Sequence, residues 1–375
     1  MRIIGLHGGS ERAPGACEFY RVNIPLYYLS GKRGWQTEWM YMRTLFAQVL
    51  AQGPQSIDTF FRDVDMIVLP RITLSSEMPA HVLDDFFDVL RHYGIKTVYE
   101  VDDDFTNLYR QVVDTDMQSI ASRCDAVTVT TPYLAELMQQ FVGRPTYVLP
   151  NMLDPRLWHD GDMQTYLRTD IVDIWLSGSK THQGDWVVLK DIFPPLLKKH
   201  PHARLVIGGY HPDYLSGIEG AVYLDGMRYD RYAQTVRQVD IVLAPVDPAD
   251  GFNAGKSPVK ATEGQGAVRK IENRFCGAAV VATDNPVYRL TVKPDYDGML
   301  VPFEPQAWYD ALDTLLTDTA QRHRLQANAY RSVWHRGTWD ISKQWTQWAK
   351  VYQRVKDMPT RKVHNVASVG EGVMS

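Results

Sequence analysis

Short apolar runs alternate with amphipathic stretches along most of the chain. Each run is rich in Val, Ile or Tyr and is bounded by Gly, Pro, Asp or Asn, a pattern that predicts β-strands. The predicted strands are Arg2–His7, Gln36–Met42, Asp65–Pro70, Thr97–Val101, Ala126–Thr131, Thr146–Leu149, Ile171–Leu176, Ala203–Ile207, Ala221–Leu224, Ile241–Pro245, Ala279–Ala282 and Met299–Val301. Between them, apolar residues recur at steps of three and four, as in Pro79–Tyr93, and this spacing predicts helices.

Alternating strands and helices predict parallel strands joined by right-handed crossovers, and hence doubly wound α/β sheets. The alternation pauses over Pro150–Arg168, which has no clear period, and then restarts. We therefore expect two Rossmann-like domains with a cleft between them, and ligands beyond the carboxyl ends of the strands. After Pro305 the pattern predicts helices only, and these are Trp308–Leu316, Ala320–Trp334 and Ile341–Val355. The tail from Met358 is predicted to be disordered.

The composition is typical of a globular protein. Among 375 residues, 40 are Lys or Arg and 44 are Asp or Glu, a formal charge of −4, and 45% are hydrophobic. These values exclude a disordered, collagenous or coiled-coil chain, and they disfavour wholesale phosphate neutralisation while allowing a local basic groove. Cys17, Cys124 and Cys276 form no CxxC pair, which predicts reduced thiols rather than disulfides or a zinc site. Without a signal peptide or a run of ~18 apolar residues, a cytoplasmic protein is predicted.

A glycine turn follows the first predicted strand at His7-Gly8-Gly9-Ser10. Glycines allow backbone N–H groups to approach an anion closely, and the next helix adds its positive end. The turn lacks the GxGxxG spacing and an acidic residue at a later strand end, so dinucleotide binding is disfavoured. The motif predicts either an anion site at Gly8 and Gly9 or a plain strand-to-helix turn.

Three adjacent carboxylates, Asp102, Asp103 and Asp104, follow another predicted strand. Their mutual repulsion requires a cation, a sugar or a basic neighbour. Such a cluster can hold Mg²⁺, which prefers carboxylates and retained waters. The alternative is that Asp103 or Asp104 caps a helix.

Two further segments lie in the second half of the chain. The first is the segment from Ser177 to Asp185. It suits a diphosphate because it offers the side chains of Ser179, Thr181 and His182 and a predicted helix start near Gly184, and an N-capped turn is the alternative.

In the second segment, the cationic residues Lys256 and Lys260 are followed by the carboxylates Glu263 and Glu272. Cations can neutralise a leaving diphosphate without a metal, and a buried carboxylate can accept both hydroxyls of a ribose. The alternative is a charged helix face exposed to solvent.

Seven stretches between Val68 and Pro302 together resemble a known family. They are TVYEVDDDF, CDAVTVTT, YVLPNMLDP, SGSKTHQGD, FNAGKSPVK, ENRFCGAAVVATDNPVYR and DGMLVP. The chain resembles the GT-B glycosyltransferases of the family 4 type, in the subgroup with an Asp-Asp-Asp motif that also occurs in phages. The resemblance implies an acceptor-side domain over residues 1–155 with a returning helix at 338–356, a nucleotide-sugar domain over 165–337, and a tail over 358–375.

The motifs and the resemblance together predict the site residues. Those on the donor side are Gly8, Gly9, Ser179, Lys180, Thr181, His182 and Glu272. Those for catalysis are Lys256, Lys260 and Glu263. Those on the acceptor side are Arg21, Asp102, Asp103 and Asp104. The resemblance implies that Ser179 and His182 contact the donor phosphates, that Lys256 or Lys260 balances their charge, and that Glu272 holds the ribose.

The position of the family's first glutamate is ambiguous in this sequence. In the family it contacts the donor sugar and lies eight positions before the ribose glutamate, where this chain has Gly264. Glu263 lies one position earlier. Lys260 and Glu263 also resemble the lysine–glutamate pair that directly precedes the family's cysteine- or alanine-glycine turn. In that alignment, the segment from Glu263 to Lys270 is an insertion.

The resemblance implies a retaining, metal-independent transfer of a hexose or pentose from a nucleotide-sugar, with a UDP-sugar favoured and no bound cofactor. The acceptor would be a glycan or, in a phage context, a hydroxymethylated or related pyrimidine in DNA. Two alternatives from other classes remain. One is a Mg²⁺-dependent phosphotransferase or hydrolase that uses Asp102, Asp103 and Asp104. The other is a nucleotide-sugar-binding module without catalytic activity.

Overall fold

The chain divides into two compact units in a computed structural model that describes residues 1–8, 15–42, 44–45, 50–71, 80–104, 106, 114–159, 170–271 and 274–360. The first unit comprises Met1–Asn151, Gly255–Ser257 and Trp345–Ser375, and the second comprises Met152–Ala254 and Pro258–Gln344. From the sequence, residues 255–257 were predicted to lie in the second domain and the returning segment to begin at residue 338. In the structure, the chain rejoins the first unit at Trp345.

The first unit is built on a six-stranded sheet with the strand order β2-β1-β3-β4-β5-β6. Its strands are β1 (Arg2–His7), β2 (Gln36–Tyr41), β3 (Met66–Leu69), β4 (Lys96–Val101), β5 (Ala126–Val129) and β6 (Thr146–Val148). Neighbouring strands are parallel throughout. All six residues of β4 are buried, including Lys96 and Glu100, as expected for an inner strand of a parallel sheet.

Helices connect these strands. They are α1 (Ala16–Glu18), a π-helical turn (Phe19–Asn23), α2 (Ile24–Leu29), a 3₁₀ turn (Leu50–Gln52), α3 (Pro54–Phe61), α4 (Ala80–His92), α5 (Asp114–Arg123) and α6 (Pro132–Val142). The ends of α6 show why a helix forms there. The Thr131 hydroxyl accepts a hydrogen bond from the Leu134 N–H, Pro132 occupies the first turn, and Gly143 ends the helix at φ 66°.

The second unit contains another six-stranded sheet, with the order β14-β13-β10-β7-β8-β9. Its strands are β7 (Val172–Gly178), β8 (Ala203–Gly209), β9 (Val222–Leu224), β10 (Ile241–Ala244), β13 (Ala279–Thr283) and β14 (Met299–Val301). The pairings are again parallel. All the strands predicted from the sequence are confirmed, and so are two Rossmann-like sheets. An antiparallel hairpin, β11 (Arg269–Ile271) with β12 (Arg274–Cys276), was not predicted.

Helices lie between and after the strands of the second unit. They are α7 (Pro155–Trp158), α8 (Phe193–Lys199), α9 (Tyr229–Val236), α10 (Val259–Gly266), α11 (Pro305–Thr317), α12 (Thr319–Tyr330) and α13 (Ile341–Gln344), with 3₁₀ turns at Lys180–His182, Val187–Leu189, Asp213–Leu215, Gly251–Gly255 and Tyr288–Leu290 and a π-helical turn at Arg331–His335. Trp308, Leu312 and Leu315 recur at three- and four-residue steps on α11 and are fully buried, so this helix packs one apolar face on the core.

The predicted helix Ile341–Val355 is divided in the structure. Its first turn is α13, and α14 (Thr346–Lys356) follows in the first unit. At the end of α14, Lys356 Nζ donates to Asp65 Oδ1 at 2.7 Å, and the Arg2 N–H donates to Asp65 Oδ2 at 2.7 Å. Burial opposes ionisation of Asp65, but these hydrogen bonds outweigh it and hold its pKa below the ordinary value. The tail beyond residue 360, which was predicted to be disordered, lies outside the described residues.

Two further expectations concern membranes and cysteines. Within the described ranges, the helices are too short or too polar to cross a membrane. Cys17, Cys124 and Cys276 are all free thiols, in agreement with the prediction of no disulfide framework.

Candidate functional site

The polar segment at Ser177–Asp185 begins at the carboxyl end of β7, which lies between β10 and β8 in the second sheet. Loops that follow parallel strands gather at this edge of a sheet, where ligands of α/β folds usually bind. Lys180–His182 form a single 3₁₀ turn, and the hydroxyls of Ser179 and Thr181 lie 2.8 Å apart and are exposed. The predicted diphosphate donors therefore lie together on one short loop.

Asp185 holds the imidazole of His182. Its Oδ2 is 2.7 Å from His182 Nδ1, while its Oδ1 accepts hydrogen bonds from the Asp247 N–H at 2.9 Å and from Asn253 Nδ2 at 2.6 Å. Asp185 is only 2% exposed, so these contacts fix a buried carboxylate. The pairing favours a proton on Nδ1 and leaves Nε2 as the other polar atom of the ring. The ring also stacks on Trp186, with the planes 9° apart.

Gly178 provides the space in which His182 and Lys260 approach the main chain. A β-carbon at this position would lie 2.6 Å from His182 Cδ2 and 2.8 Å from Lys260 Nζ. Lys260 Nζ donates a hydrogen bond to the carbonyl oxygen of Ser177. The last residues of β7 thus bring a cation and an imidazole to the same point, although they are far apart in the sequence.

Glu263 lies one turn beyond Lys260 on α10 and is 5% exposed. The phenol of Tyr232 donates to Glu263 Oε2 at 2.8 Å and lies 3.3 Å from the hydroxyl of Ser177. Burial, followed by the negative charge of Glu263, raises the pKa of Tyr232 well above its ordinary value. The phenol therefore stays protonated near neutral pH and remains a hydrogen-bond donor to the carboxylate.

Helix α10 ends before the second predicted glutamate. A β-carbon on Gly264 would lie 2.9 Å from side-chain atoms of both Val242 and Val280, so this glycine lets the helix pack closely on β10 and β13. In the sequence, the hairpin of β11 and β12 lies between α10 and Gly277. Glu272 falls between the hairpin strands and lies outside the described residues. Of the two alignments left open by the sequence, the hairpin favours the one with an insertion after Glu263.

In the first unit, the acidic triplet is engaged by its own neighbours. Arg71 Nη1 lies 2.6 Å from Asp103 Oδ2 and 3.5 Å from Asp102 Oδ1. Asp104 Oδ1 accepts hydrogen bonds from the N–H and the hydroxyl of Thr106, at 3.0 and 2.6 Å. The described part of the chain contains no group of three or more His, Cys, Asp and Glu side chains suited to a metal ion. The basic neighbour that was foreseen as one alternative is thus present, and Asp104 accepts local hydrogen bonds from Thr106.

The surroundings of Asp103 include residues that no sequence motif connects with it. Burial and then Asp102 raise the pKa of Asp103, while Arg71 and Lys256 oppose that rise. Burial and Asp102 likewise raise the pKa of the Cys17 thiol well above its ordinary value. Lys256 therefore belongs electrostatically to the acidic triplet of the first unit, whereas Lys260 belongs to the second unit. Neither Arg71 nor Cys17 stands in a recognisable motif, so only the folded chain reveals this cluster.

The structure gives two other predicted residues internal partners. The Gly8 N–H donates to Glu18 Oε1 at 2.6 Å, so a carboxylate of the chain already occupies the position predicted for a donor anion. Gly9 lies outside the described residues. Arg21 is 2% exposed, and its Nε and Nη2 both donate to Glu100 Oε2, at 3.0 and 2.6 Å. These placements favour structural roles for Gly8 and Arg21 over the donor and acceptor roles predicted for them.

Residues 175–318 match the sequence model of the family described as Glycosyl transferases group 1. This range contains the loop after β7 and helix α10. The match supports a glycosyltransferase domain in the second unit. No curated protein matches the sequence at a significant level.

Three solved structures share the fold over almost the whole chain. HepE from Anabaena, in complex with UDP and glucose, is 17% identical with a TM-score of 0.63, over 94% of this chain and 100% of that one. Sucrose-phosphate synthase from Thermosynechococcus elongatus is 13% identical with a TM-score of 0.63, over 94% and 98%. An alpha-glucosyltransferase in complex with UDP-glucose and DNA containing an abasic site is 13% identical with a TM-score of 0.63, over 94% and 99%. The fold is therefore the GT-B fold of two Rossmann-like domains, as the resemblance implied.

Proposed function

We propose that this protein is a glycosyltransferase that moves a sugar from a nucleotide-sugar, with a UDP-sugar favoured, to a hydroxyl group. The observation that carries the proposal is the convergence of His182 and Lys260 at Gly178, within the segment that matches the glycosyltransferase family. The UDP and UDP-glucose bound by two of the structural neighbours support the choice of nucleotide.

The chemistry required of a donor site is stabilisation of a departing diphosphate. Its negative charge grows as the bond to the sugar breaks, and preorganised cations and hydrogen-bond donors favour that change. Lys260 supplies a positive charge, His182 supplies its Nε2, and the exposed hydroxyls of Ser179 and Thr181 supply further donors. Lys180, which lies on the same loop, and Lys256 remain predicted contributors.

We assign to the Glu263 carboxylate the role of accepting hydrogen bonds from hydroxyl groups of the donor. A carboxylate accepts hydrogen bonds from two neighbouring hydroxyls, and Tyr232 holds this one in place. The hairpin after α10 supports aligning Lys260 and Glu263 with the lysine–glutamate pair of the resembled family. The ribose role of Glu272 remains a prediction.

The mechanism that we propose is a retaining, metal-independent displacement on the front face of the sugar. The leaving diphosphate, held by Lys260 and the loop after β7, would help to remove the proton of the acceptor hydroxyl. Glycosidases that retain configuration use two close carboxylates instead. A glycan or a hydroxymethylated pyrimidine in DNA remains the proposed acceptor, and Asp102, Asp103 and Asp104 remain candidate acceptor contacts. The structural neighbour in complex with UDP-glucose and DNA is the reason to include DNA among the acceptors tested.

The Mg²⁺-dependent alternative is less well supported by the geometry. It requires the carboxylates of the triplet to face a cation together. Instead Arg71 pairs with Asp102 and Asp103, and Asp104 is turned to Thr106. A guanidinium in this position competes with a metal for the same oxygens.

The test is nucleotide release from UDP-, GDP- and ADP-sugars in the presence of EDTA. Each donor is used alone, then with glycans, and then with DNA that carries hydroxymethylated pyrimidines. We expect release from one donor despite EDTA, with stimulation by one acceptor class and retention at the anomeric carbon of the product by NMR. Phosphate release that requires Mg²⁺ would overturn the proposal in favour of the acidic triplet, and tight donor binding without turnover would favour a binding module.

A further inference from the structure

A second surface of the first unit lies far from the carboxyl ends of its strands. It is a groove of about 990 Å³ between the segment before β2 and helix α14, which we call the tryptophan groove. The indoles of Trp35 and Trp345 line it, and both are half-buried. Trp35 directly precedes β2, and Asp65, which anchors the end of α14, directly precedes β3. The groove thus lies at the amino edge of the sheet, opposite Asp102 and the other residues of the triplet.

Basic side chains surround the two indoles. Lys350 and Arg354 line the groove from α14, and the ammonium of Lys32 lies 5.0 Å from the ring centre of Trp345. All three are exposed, and none forms an ion pair with an acidic side chain in the described part of the chain. Asp357 is the acidic side chain among the lining residues. In a protein with a formal charge of −4, this is a local concentration of positive charge.

We propose that the tryptophan groove binds a single strand of nucleic acid. Indole rings offer stacking surfaces to unpaired bases, and Lys and Arg beside them contact the phosphates, a combination that binds single strands without sequence preference. The groove has both components, and it is open enough to admit a flexible strand. This proposal does not depend on the transferase activity, since binding is measured without a donor.

Two other occupants fit the groove less well. An anionic membrane is contacted by aromatic side chains that protrude from the protein surface, whereas Trp35 and Trp345 are half-buried. The segment that follows the groove in the sequence begins with Arg361 and Lys362 and has Glu371 as its acidic residue. Its charge adds to that of the groove instead of balancing it. Charge complementarity therefore favours an external polyanion.

The size of the salt effect follows from the number of cations. If Lys32, Lys350 and Arg354 each contact one phosphate of a single strand, the logarithm of the affinity falls with the logarithm of salt concentration at a slope of about 2. The dissociation constant should then rise about 16-fold between 50 and 200 mM salt. Loss of one stacking indole should weaken binding roughly tenfold.

The experiment measures fluorescence anisotropy of a labelled 20-nucleotide poly-dT strand with the full-length protein. The same titration is made with a duplex of equal length, and sedimentation with phosphatidylglycerol vesicles provides the membrane arm. The test variants are Trp345→Ala and the double variant Lys350→Glu with Arg354→Glu. The matched control is Lys190→Glu with Lys198→Glu, which reverses two exposed cations of the second unit.

We expect the single strand to bind more tightly than the duplex, with the salt slope given above. Binding should weaken in both test variants and remain unchanged in the control, with the melting temperature unaltered in all of them. The proposal is overturned if no strand binds at 50 mM salt, if the control weakens binding as much as the double test variant, or if the duplex or the vesicles bind better than the strand.

Discussion

Replacement of Asp185 by asparagine removes a negative charge from the proposed donor site and keeps the shape of the side chain. The carboxylate accepts from His182 Nδ1 at one oxygen and from two fixed donors at the other. In Asp185→Asn the amide oxygen keeps the two fixed donors, and the amide NH₂ then faces His182. The imidazole must accept a hydrogen bond at Nδ1, so it can no longer be a cation that donates to phosphate from Nε2.

The expected size of the effect follows from the loss of the positive charge on one hydrogen-bond donor, because the neutral imidazole of the variant can still donate from Nε2 to an anionic phosphate. Hydrogen bonds that involve an ionised group contribute about 1.5–3 kcal/mol, and the charge of the donor decides where in that range a bond to phosphate falls. The width of the range, about 1.5 kcal/mol, corresponds to roughly a tenfold fall in kcat/KM for the donor. Because the negative charge of the diphosphate grows in the transition state, kcat should fall more than KM rises.

The assay is the initial rate of nucleotide release over a range of donor concentrations. Asp191→Asn is the matched control, since it removes an exposed carboxylate from the same unit. Nitrogen-15 NMR of the imidazole should show that Nδ1 carries a proton in the parent protein and in Asp191→Asn, and has lost it in Asp185→Asn alone. An unchanged kcat/KM in Asp185→Asn, or an equal loss of activity in Asp191→Asn at an equal melting temperature, would contradict this role of Asp185.

Three further predictions concern stability. Arg21→Leu leaves the buried carboxylate of Glu100 without its cation and should lower the free energy of unfolding by about 3–5 kcal/mol in urea denaturation; a stable variant that lost only acceptor affinity would contradict the structural role. Gly277→Ala would place a methyl group 2.1 Å from a main-chain carbonyl oxygen and should lower the melting temperature, whereas Gly226→Ala points into open space and should not. Asp65→Asn should cost up to about 1 kcal/mol at pH 7. Because the pKa of Asp65 is lower in the folded state, that difference is complete above its unfolded pKa, about 4, and disappears as the pH falls through the folded value; a difference that grew on acidification would contradict the ion pair.

The two sheets could be predicted because their inner strands are buried on both faces. Such strands read as short apolar runs, and β4 and β10 are examples in which every residue is buried. The hairpin of β11 and β12 could not be found in this way. Its strands have three residues each and carry Arg269, Lys270 and Arg274, so neither apolar content nor alternation marks them. Instead, Phe275 stacks on Tyr330 of α12 with the ring planes 17° apart, a contact between residues distant in sequence.

The candidate site was predictable only where its residues are adjacent in the chain. The density of hydroxyl and imidazole groups marked the loop after β7 as a phosphate site. The contacts that organise it are long-range: Asp185 is held by Asn253, and Glu263 is held by Tyr232. The same limit applies to the first unit, where the partner of Arg21 stands 79 residues away. Residue types predicted the chemistry, and only the fold could supply the partners.

The eight-position spacing between the two glutamates of the resembled family predicts their relative positions only where the chain between them keeps the same structure. Eight positions separate the glutamates of the resembled family, and nine separate Glu263 and Glu272. Here α10 ends at Gly266, and a hairpin follows, so the interval no longer measures a distance in the fold. The position of Glu263 is set instead by the packing of Gly264 on β10 and β13 and by the hydrogen bond from Tyr232. A carboxylate fixed by packing can keep its place when residues are inserted after it. For this reason we assign to Glu263 the hydrogen bonds to the donor hydroxyls.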